Sequence, residues 1–403
     1  MAKPLPFPAP VPTPDYGDLA LVLTGGGARA AYQVGVLRYL AERYPELRLP
    51  VLTGVSAGAV NAAHLAQHSG TLTQAVAELA ALWTALTPER VFRVDAPSLA
   101  MNVVRWAGRL VSGGLHDGKP HSRGLVDTQP LARFLREALS QHGGELTGIE
   151  HNLRRGTLKA IALSTTSYTT GQSVIWVQGR EIETWQRPNR RSVQTKLRVE
   201  HVMASAALPL FFPAVRIGNA WYGDGGIRLT APLSPALHLG ASRVLAVSTR
   251  AARSQREADR HVIAGYPPPA QVLGVLYNAI FLDLIDQDVL RFERMNRVLS
   301  KMPPEEREGM RVVELLVIRP SRDLAEIARD YEPRLPGAFR YLTRGLGTRQ
   351  TSSPDLISLL MFQDDYLRRL IELGEADAYA RADEIDGFLS RAGAQAAAQE
   401  GTG

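Results

Sequence analysis

Gly54-Val55-Ser56-Ala57-Gly58 is the most informative segment of the chain. A short apolar run, Val51 to Thr53, precedes it, and small residues with helical spacing, Ala59 to His68, follow it. A serine framed by glycines between a strand and a helix is typical of a nucleophile elbow, a sharp turn that exposes the hydroxyl. The glycines allow strained backbone angles and close passage of neighbouring elements. Ser56 is therefore a candidate nucleophile.

A second glycine-rich turn stands at the equivalent place on the preceding strand. Leu19 to Thr24 reads as a buried strand, Gly25-Gly26-Gly27-Ala28-Arg29 follows it, and a helical pattern runs from about Ala30 to Arg43. Backbone amides in such a loop, beside a helix start, can bind an oxyanion, which an acyl-transfer site requires. This glycine loop is therefore a candidate oxyanion-binding site.

The same glycine loop has an alternative interpretation. Gly25 to Ala30 also fits the G-x-G-x-x-A pattern of dinucleotide-binding proteins, so a nucleotide-binding regulatory protein stays open as an alternative. The next strand, however, ends in Gly54-Val55-Ser56, where such proteins carry an acidic residue for the ribose. The acyl-transfer interpretation is favoured for that reason.

A candidate base stands in a third glycine turn, Gly223-Asp224-Gly225-Gly226, after an apparent strand at Trp221 and Tyr222. Asp-Gly alone is a hairpin signal. Read with the other two turns, it offers a carboxylate that could reach Ser56.

Histidine is the usual base of a serine hydrolase, so its positions form a second alternative. His238 and His261 follow Asp224 in the chain order that an α/β-hydrolase requires, although neither stands in a glycine-framed loop. His64 and His68 have the spacing of a zinc pair, but Leu65 replaces the expected Glu and no third ligand is evident. We predict no metal and no cofactor.

The pattern of elements predicts an α/β fold with a mostly parallel, helix-covered sheet. Further strands are predicted at Leu158–Leu163, Ser173–Val177, Trp221–Tyr222, Val244–Ser248 and Val312–Ile318. Further helices are predicted at Thr71–Leu86, at Ser98–Val111, from Pro130, at Gln271–Leu299, and after Pro354 through Leu373 to about Leu389. We divide the chain into a flexible Pro-rich segment (1–17), a catalytic core (18–250), a helical C-terminal elaboration packed on the same domain (251–391) and a disordered tail (392–403).

Composition limits the partners. The 403 residues carry a net charge of +6, which favours an anionic partner such as a lipid headgroup surface. The densest basic stretch, Arg187 to Arg198, lacks the interleaved aromatic residues of a single-strand binding groove, so nucleic acid is not expected. Without cysteines, thiol chemistry is excluded. We found neither a secretory signal nor a membrane span, so we predict a soluble, cytoplasmic protein with peripheral membrane contact as a hypothesis.

The three glycine turns together resemble those of the patatin-like phospholipase family, in order and in spacing. Ala204-Ser205-Ala206-Ala207-Leu208-Pro209, with Phe212 and Pro213, is similar to the stretch that precedes the aspartate in that family. The resemblance covers roughly residues 18 to 250. Ala30 departs from it, because many relatives have Gly there.

The resemblance implies a three-layer α/β fold and a lipid acyl hydrolase, a phospholipase A or lysophospholipase, with a Ser56–Asp224 dyad and no histidine. It implies an oxyanion hole at Gly25, Gly26, Gly27 and Ala57, and a role for Arg29 either toward substrate phosphate or in orienting the loop. A thioesterase or a polyester depolymerase would use the same dyad. The apolar residues Leu208, Leu210, Phe211, Phe212 and Val215 are expected to be either acyl-chain walls or plain core. The oligomeric state is not predicted.

Overall fold

The computed structural model describes residues 18–93, 124–140, 143–252, 266–267, 269–335 and 355–390. The predicted N-terminal segment (1–17), the helix predicted at Ser98–Val111 and the tail from residue 392 lie outside these residues.

One mixed sheet forms the centre of the described chain. Its strands are β1 (Leu19–Leu23), β2 (Val51–Val55), β3 (Ala160–Ser167), β4 (Ser173–Gly179), β5 (Gln186–Arg187), β6 (Arg190–Gln194), β7 (Val215–Ile217), β8 (Ala220–Asp224), β9 (Arg243–Val247) and β10 (Glu314–Ile318). The spatial order is β10-β9-β1-β2-β3-β4-β6-β5, and β8 pairs with both β3 and β7. The five strands from β10 to β3 are parallel, which confirms the predicted sheet type.

Helices cover both faces of this sheet. They are α1 (Ala31–Arg43), α2 (Ala57–Gln67), α3 (Leu72–Thr84), α4 (Pro88–Val91), α5 (Gln129–Leu139), α6 (Thr147–Arg155), α7 (Val199–Ser205), α8 (Ser234–His238), α9 (Pro269–Phe281), α10 (Leu284–Leu299), α11 (Leu324–Arg329), α12 (Asp355–Leu360), α13 (Asp364–Ala380) and α14 (382–390). Short 3-10 turns at Gly27–Ala30 and Gly225–Ile227 follow β1 and β8 through their glycine turns.

The alternation of side chains along the buried strands sorts them into two cores. Leu19, Leu21 and Leu23 of β1 belong to the larger cluster, with α1, α2 and α13. Ala20 and Val22 face a smaller cluster with α8 and the first turns of α10. Successive strand residues point to opposite faces, so one strand supplies both cores. The result is the predicted three-layer α/β architecture.

The C-terminal region differs in two respects from its predicted form. The apolar stripe over Gln271–Leu299 predicted one continuous helix, but the chain turns at residues 282–283 and forms α9 and α10. Arg250 forms an ion pair with Asp283 at this turn, at 2.7 Å. Leu276, one of the apolar residues of α9, is about half exposed. The region also adds β10 to the edge of the parallel sheet, at the strand predicted over Val312–Ile318.

Several short elements were not predicted from the sequence, including β5, β6, α6 and α7. They are too short, or too polar, for a periodic pattern to stand out. Within the described residues, none of the helices combines the length and the hydropathy needed to cross a bilayer.

Candidate active site

Ser56 lies at the tip of a strained turn between β2 and α2. Its backbone angles are φ 57° and ψ −132°, a conformation that non-glycine residues rarely adopt. A Cβ added at Gly54 would come within 2.6 Å of the Gly58 carbonyl oxygen, and one added at Gly58 would overlap the backbone of Leu23 and Thr24. The two glycines thus permit the close packing that the turn requires, as the sequence pattern predicted for an elbow.

Two strands that point at each other bring Ser56 and Asp224 together. The last residue of β2, Val55, pairs in parallel with Ser164 of β3. The last residue of β8, Asp224, pairs antiparallel with Thr165, the next residue of β3. Because β4 occupies the other edge of β3, β2 and β8 share one edge and meet end to end. This register sets the serine and the carboxylate side by side.

Asp224 is fully buried, and burial raises the pKa of its carboxyl to about 7, against opposing effects of the Ser56 hydroxyl and the Gly226 amide. The Gly226 amide donates to Oδ1 at 2.9 Å. Oδ2 is buried and has no hydrogen bond of good geometry from the described residues, although the Ser56 hydroxyl lies close enough to lower the pKa. The carboxyl is therefore poised to accept a proton near neutral pH.

The glycine loop lies directly against the elbow. A Cβ added at Gly25 would lie 2.9 Å from the Cβ of Ser56. Gly26 and Gly27 have φ values of 151° and 54°, which favour glycine. The backbone amides of Gly26, Gly27 and Ala57 make no hydrogen bond within the described part of the chain, so they are available as donors.

The carbonyls of this loop are held by residues that the sequence analysis did not single out. Thr249, just after β9, donates its hydroxyl to the Gly25 carbonyl at 2.5 Å. Gln33 of α1, itself fully buried, donates to the Thr24 carbonyl at 2.8 Å. The sequence did contain a signal for Gln33, because it is a polar residue among the apolar positions of a buried helix. Thr249 gave none, because its partner is distant in sequence.

Arg29 does not reach outward from the loop. Its side chain is 3% exposed, and it forms an ion pair with Asp355 of α12 at 2.9 Å. Its Nε donates to the Ser358 hydroxyl at 2.7 Å. Of the two roles considered for Arg29, these contacts favour orienting the loop over binding a substrate phosphate.

An apolar pocket opens beside Ser56. It is lined by Gly27, Ser56 and Ala57 at one end, and by leucine and aromatic side chains of α3, α5 and the segment 206–212, among them Leu79, Trp83, Leu131, Leu135, Leu208 and Phe212. Of the expected acyl-chain residues, Leu208 and Phe212 therefore lie in this pocket. Phe211 packs on the Tyr277 ring instead, Leu210 is exposed, and Val215 lies on β7.

None of the histidines in the described residues hydrogen bonds to Ser56. The His238 ring stacks on Trp185, with centroids 4.3 Å apart, and burial together with Arg190 and Arg187 lowers the pKa of this histidine. His261 lies outside the described residues. His64 Nε2 lies 2.9 Å from the Ala75 carbonyl and His68 pairs with Glu78. No group of three potential metal ligands occurs within the described ranges.

Comparison with known proteins shows that the sequence matches a protein family. Residues 21–237 match the family model described as patatin-like phospholipase. That span is more than half of the chain and includes both Ser56 and Asp224. No curated protein sequence matches the chain.

Solved structures with a similar arrangement are distant in sequence. VipD from Legionella pneumophila is 15% identical, with 93% of this chain and 75% of VipD covered and a TM-score of 0.33. Human GIVD cytosolic phospholipase A2 is 12% identical, with 93% of this chain covered and a TM-score of 0.46. The chain spans 60% of the length of that human enzyme.

Proposed function

The chain belongs to the patatin-like phospholipase family, and on this premise we propose that it is a lipid acyl hydrolase with Ser56 as nucleophile and Asp224 as base. Family membership supports lipid hydrolysis as the general activity. The observation that carries the specific proposal is the meeting of a strained serine with a buried carboxyl whose pKa is raised to about 7.

The proposed reaction has two steps. The Ser56 oxygen attacks the ester carbonyl carbon while its proton passes to Asp224, and the tetrahedral intermediate releases the alcohol, which takes that proton. A water molecule then attacks the acyl-serine, Asp224 again accepts and returns a proton, and the fatty acid leaves. The elevated pKa suits both halves, because Asp224 is ionised for attack and protonated for departure of the leaving group.

The amides of Gly26, Gly27 and Ala57 would hold the oxyanion in both steps. Fixed donors of this kind contribute about 3 kcal/mol each to stabilising the transition state. The N-terminus of α2, which begins at Ala57, adds a favourable dipole at the same place. The apolar pocket beside Ser56 would hold the acyl chain, since most of its walls are leucine and aromatic side chains.

Exposed apolar side chains near Asp224 support contact with a lipid surface. Val272, Val275 and Leu276 lie on one face of α9 and are 47–56% exposed. The opposite face of α9 carries Tyr277, whose hydroxyl donates to the Pro209 carbonyl, and Phe281, which packs at Gly226. The buried face of α9 thus packs at the Asp224 turn, while its exposed apolar face points away from it, and the exposed Arg228 after that turn suits anionic headgroups.

The test combines a probe with a substrate panel. A fluorophosphonate should label the wild type but not Ser56→Ala. Phospholipids, lysophospholipids, monoacylglycerols, acyl thioesters, a polyester and p-nitrophenyl esters should be offered to the wild type and to Asp224→Asn. Loss of phospholipid hydrolysis in both variants supports the dyad. An unchanged rate in Asp224→Asn overturns it, and loss of activity on replacing His238 or His261 would favour the histidine-dependent esterase. Dinucleotide binding without probe labelling would favour the regulatory alternative.

A further inference from the structure

A buried ion pair joins the oxyanion loop to the C-terminal region. The Arg29 guanidinium lies 2.9 Å from a carboxylate oxygen of Asp355, and the two side chains are only 3% and 8% exposed. The same guanidinium donates to the Asp355 carbonyl at 3.1 Å and to the Ser358 hydroxyl at 2.7 Å. Ser358 in turn donates to the Asp355 carbonyl at 2.7 Å. A desolvated, multiply bonded pair of this kind fixes the relative position of its two elements.

The two elements are the glycine loop and α12. Arg29 belongs to the 3-10 turn that begins at Gly27, one of the proposed oxyanion donors. Asp355 and Ser358 belong to α12, which lies outside the residues 21–237 that match the family model. The Leu359 carbonyl lies so close to Gly27 that a Cβ added there would overlap it. The helix therefore supports the loop by direct backbone contact as well as by charge.

The same segment also forms part of the pocket beside Ser56. Leu359, Leu360 and Phe362 line that pocket together with side chains of α3 and α5. The Phe362 ring contacts Phe92 in an edge-on arrangement, with centroids 6.5 Å apart. All six residues of α12 are buried. The segment 355–362 is thus an inner wall of the pocket and not a surface appendage.

We propose that the segment 355–362, held in place by the Arg29–Asp355 ion pair, is a specificity-determining wall of the acyl pocket. This inference rests on the proposed hydrolase function and deepens it, because it assigns acyl-chain selection to a segment beyond the family-matched residues. Asp355 is a positioning residue in this scheme, since it acts through Arg29 and Leu359. Leu360 and Phe362 are the side chains that meet the chain.

The wall is tested with two leucines of the same helix. Leu360 lines the pocket, whereas Leu356 is equally buried but does not. We expect Leu360→Ala to change the ratio of kcat/KM between C16 and C4 p-nitrophenyl esters by about 5-fold or more, because side-chain volume in an apolar pocket discriminates at that level. Leu356→Ala removes the same volume and should leave the ratio within about 2-fold of wild type. Equal ratios in both variants would overturn the assignment.

The ion pair is tested in the same assay. Asp355→Asn should raise KM for the C16 ester by about 10-fold, with a smaller effect on the C4 ester. Asp386→Asn is the control. Asp386 of α14, in the C-terminal region, likewise pairs with an arginine near the N-terminus, Arg43 of α1, at 2.9 Å. If Asp355→Asn does not fold, Ser358→Ala removes a single bond to Arg29 and should shift the C16 to C4 ratio in the same direction. A wild-type ratio in folded variants of both kinds would refute the positioning role.

A binding measurement separates this inference from the hydrolase proposal. In a Ser56→Ala background, binding of the fluorescent fatty acid cis-parinaric acid should weaken with Leu360→Ala and persist with Leu356→Ala. If the wild type hydrolyses no ester but this binding pattern holds, the assignment of segment 355–362 as a wall of the acyl pocket is supported and the hydrolase proposal is wrong. If the wild type hydrolyses esters but Leu360→Ala changes neither the binding nor the C16 to C4 ratio, only the assignment of segment 355–362 is wrong. No binding and no hydrolysis would overturn both.

Discussion

Ser205 accepts a hydrogen bond from the backbone amide of Ser56, at 3.0 Å, and donates its own hydroxyl hydrogen to the Ser164 carbonyl at 2.7 Å. The side chain of Ser205 is fully buried at the end of α7. It therefore ties the strained residue of the elbow to β3, the strand against which β2 and β8 meet. The Ser56 amide, being engaged by Ser205, is not available as an oxyanion donor.

Removal of this hydroxyl should damage catalysis more than folding. We expect Ser205→Ala to lower kcat by about 10-fold, because the Ser56 amide loses its buried acceptor and the elbow loses a support. Ser192→Ala is a suitable control, since Ser192 on β6 bridges the Trp185 amide and carbonyl, and β4 separates β6 from β3. Steady-state kinetics on a p-nitrophenyl ester will show the difference; equal rates in the two variants would contradict a positioning role for Ser205.

The rate should depend on pH through Asp224. Its pKa of about 7 means that the carboxyl is protonated, and unable to act as base, at acidic pH. We expect kcat/KM to rise with pH, to be half-maximal near pH 7 and to level off about one pH unit higher, once ester hydrolysis without enzyme is subtracted. A profile that is flat between pH 5 and 8 would argue against Asp224 as the base.

The same carboxyl should cost stability when it ionises. Its pKa is raised above the value of the unfolded chain, so its contribution to folding is complete at low pH and is lost as pH rises through about 7. Asp224→Asn cannot ionise. Relative to wild type, the variant should therefore gain roughly 2–4 kcal/mol of unfolding free energy between pH 4 and pH 8. Denaturant titrations at the two pH values measure this, and no gain would mean that Asp224 is not desolvated.

Gly27 should tolerate no side chain. Its φ is 54°, and a Cβ would overlap the Leu359 carbonyl. We expect Gly27→Ala to lower kcat by about 100-fold or more, because the shift displaces an oxyanion donor. Gly171→Ala controls for backbone strain alone, since Gly171 has φ 70° and open space around its Cβ position. That control should cost about 1 kcal/mol of stability and leave kcat unchanged.

The exposed face of α9 should matter only for aggregated substrate. Leu276→Asp is expected to lower the rate on phospholipid vesicles by about 10-fold and to spare a monomeric short-chain ester, since a charge there opposes insertion into lipid. Leu290→Asp places the same charge on α10, at a position that is also exposed. Vesicle sedimentation and hydrolysis should separate the two variants, and parallel losses would exclude a specific docking face.

The sequence determined much of the local structure around the site. The glycines at 54 and 58 indicated a sharp turn around Ser56, because only small residues permit its close backbone contacts. Alternating strands and helices indicated the parallel three-layer fold, which the structure confirms. These are short-range properties, written in adjacent residues.

The meeting of distant segments depends on tertiary packing. The end-to-end approach of β2 and β8 depends on their register against β3, which no local pattern specifies. The burial that raises the pKa of Asp224 and the contact between Arg29 and Asp355 likewise require the completed core. Desolvation and long-range pairing are properties of the packed chain, and the electrostatics of the site therefore arise only when the chain has folded.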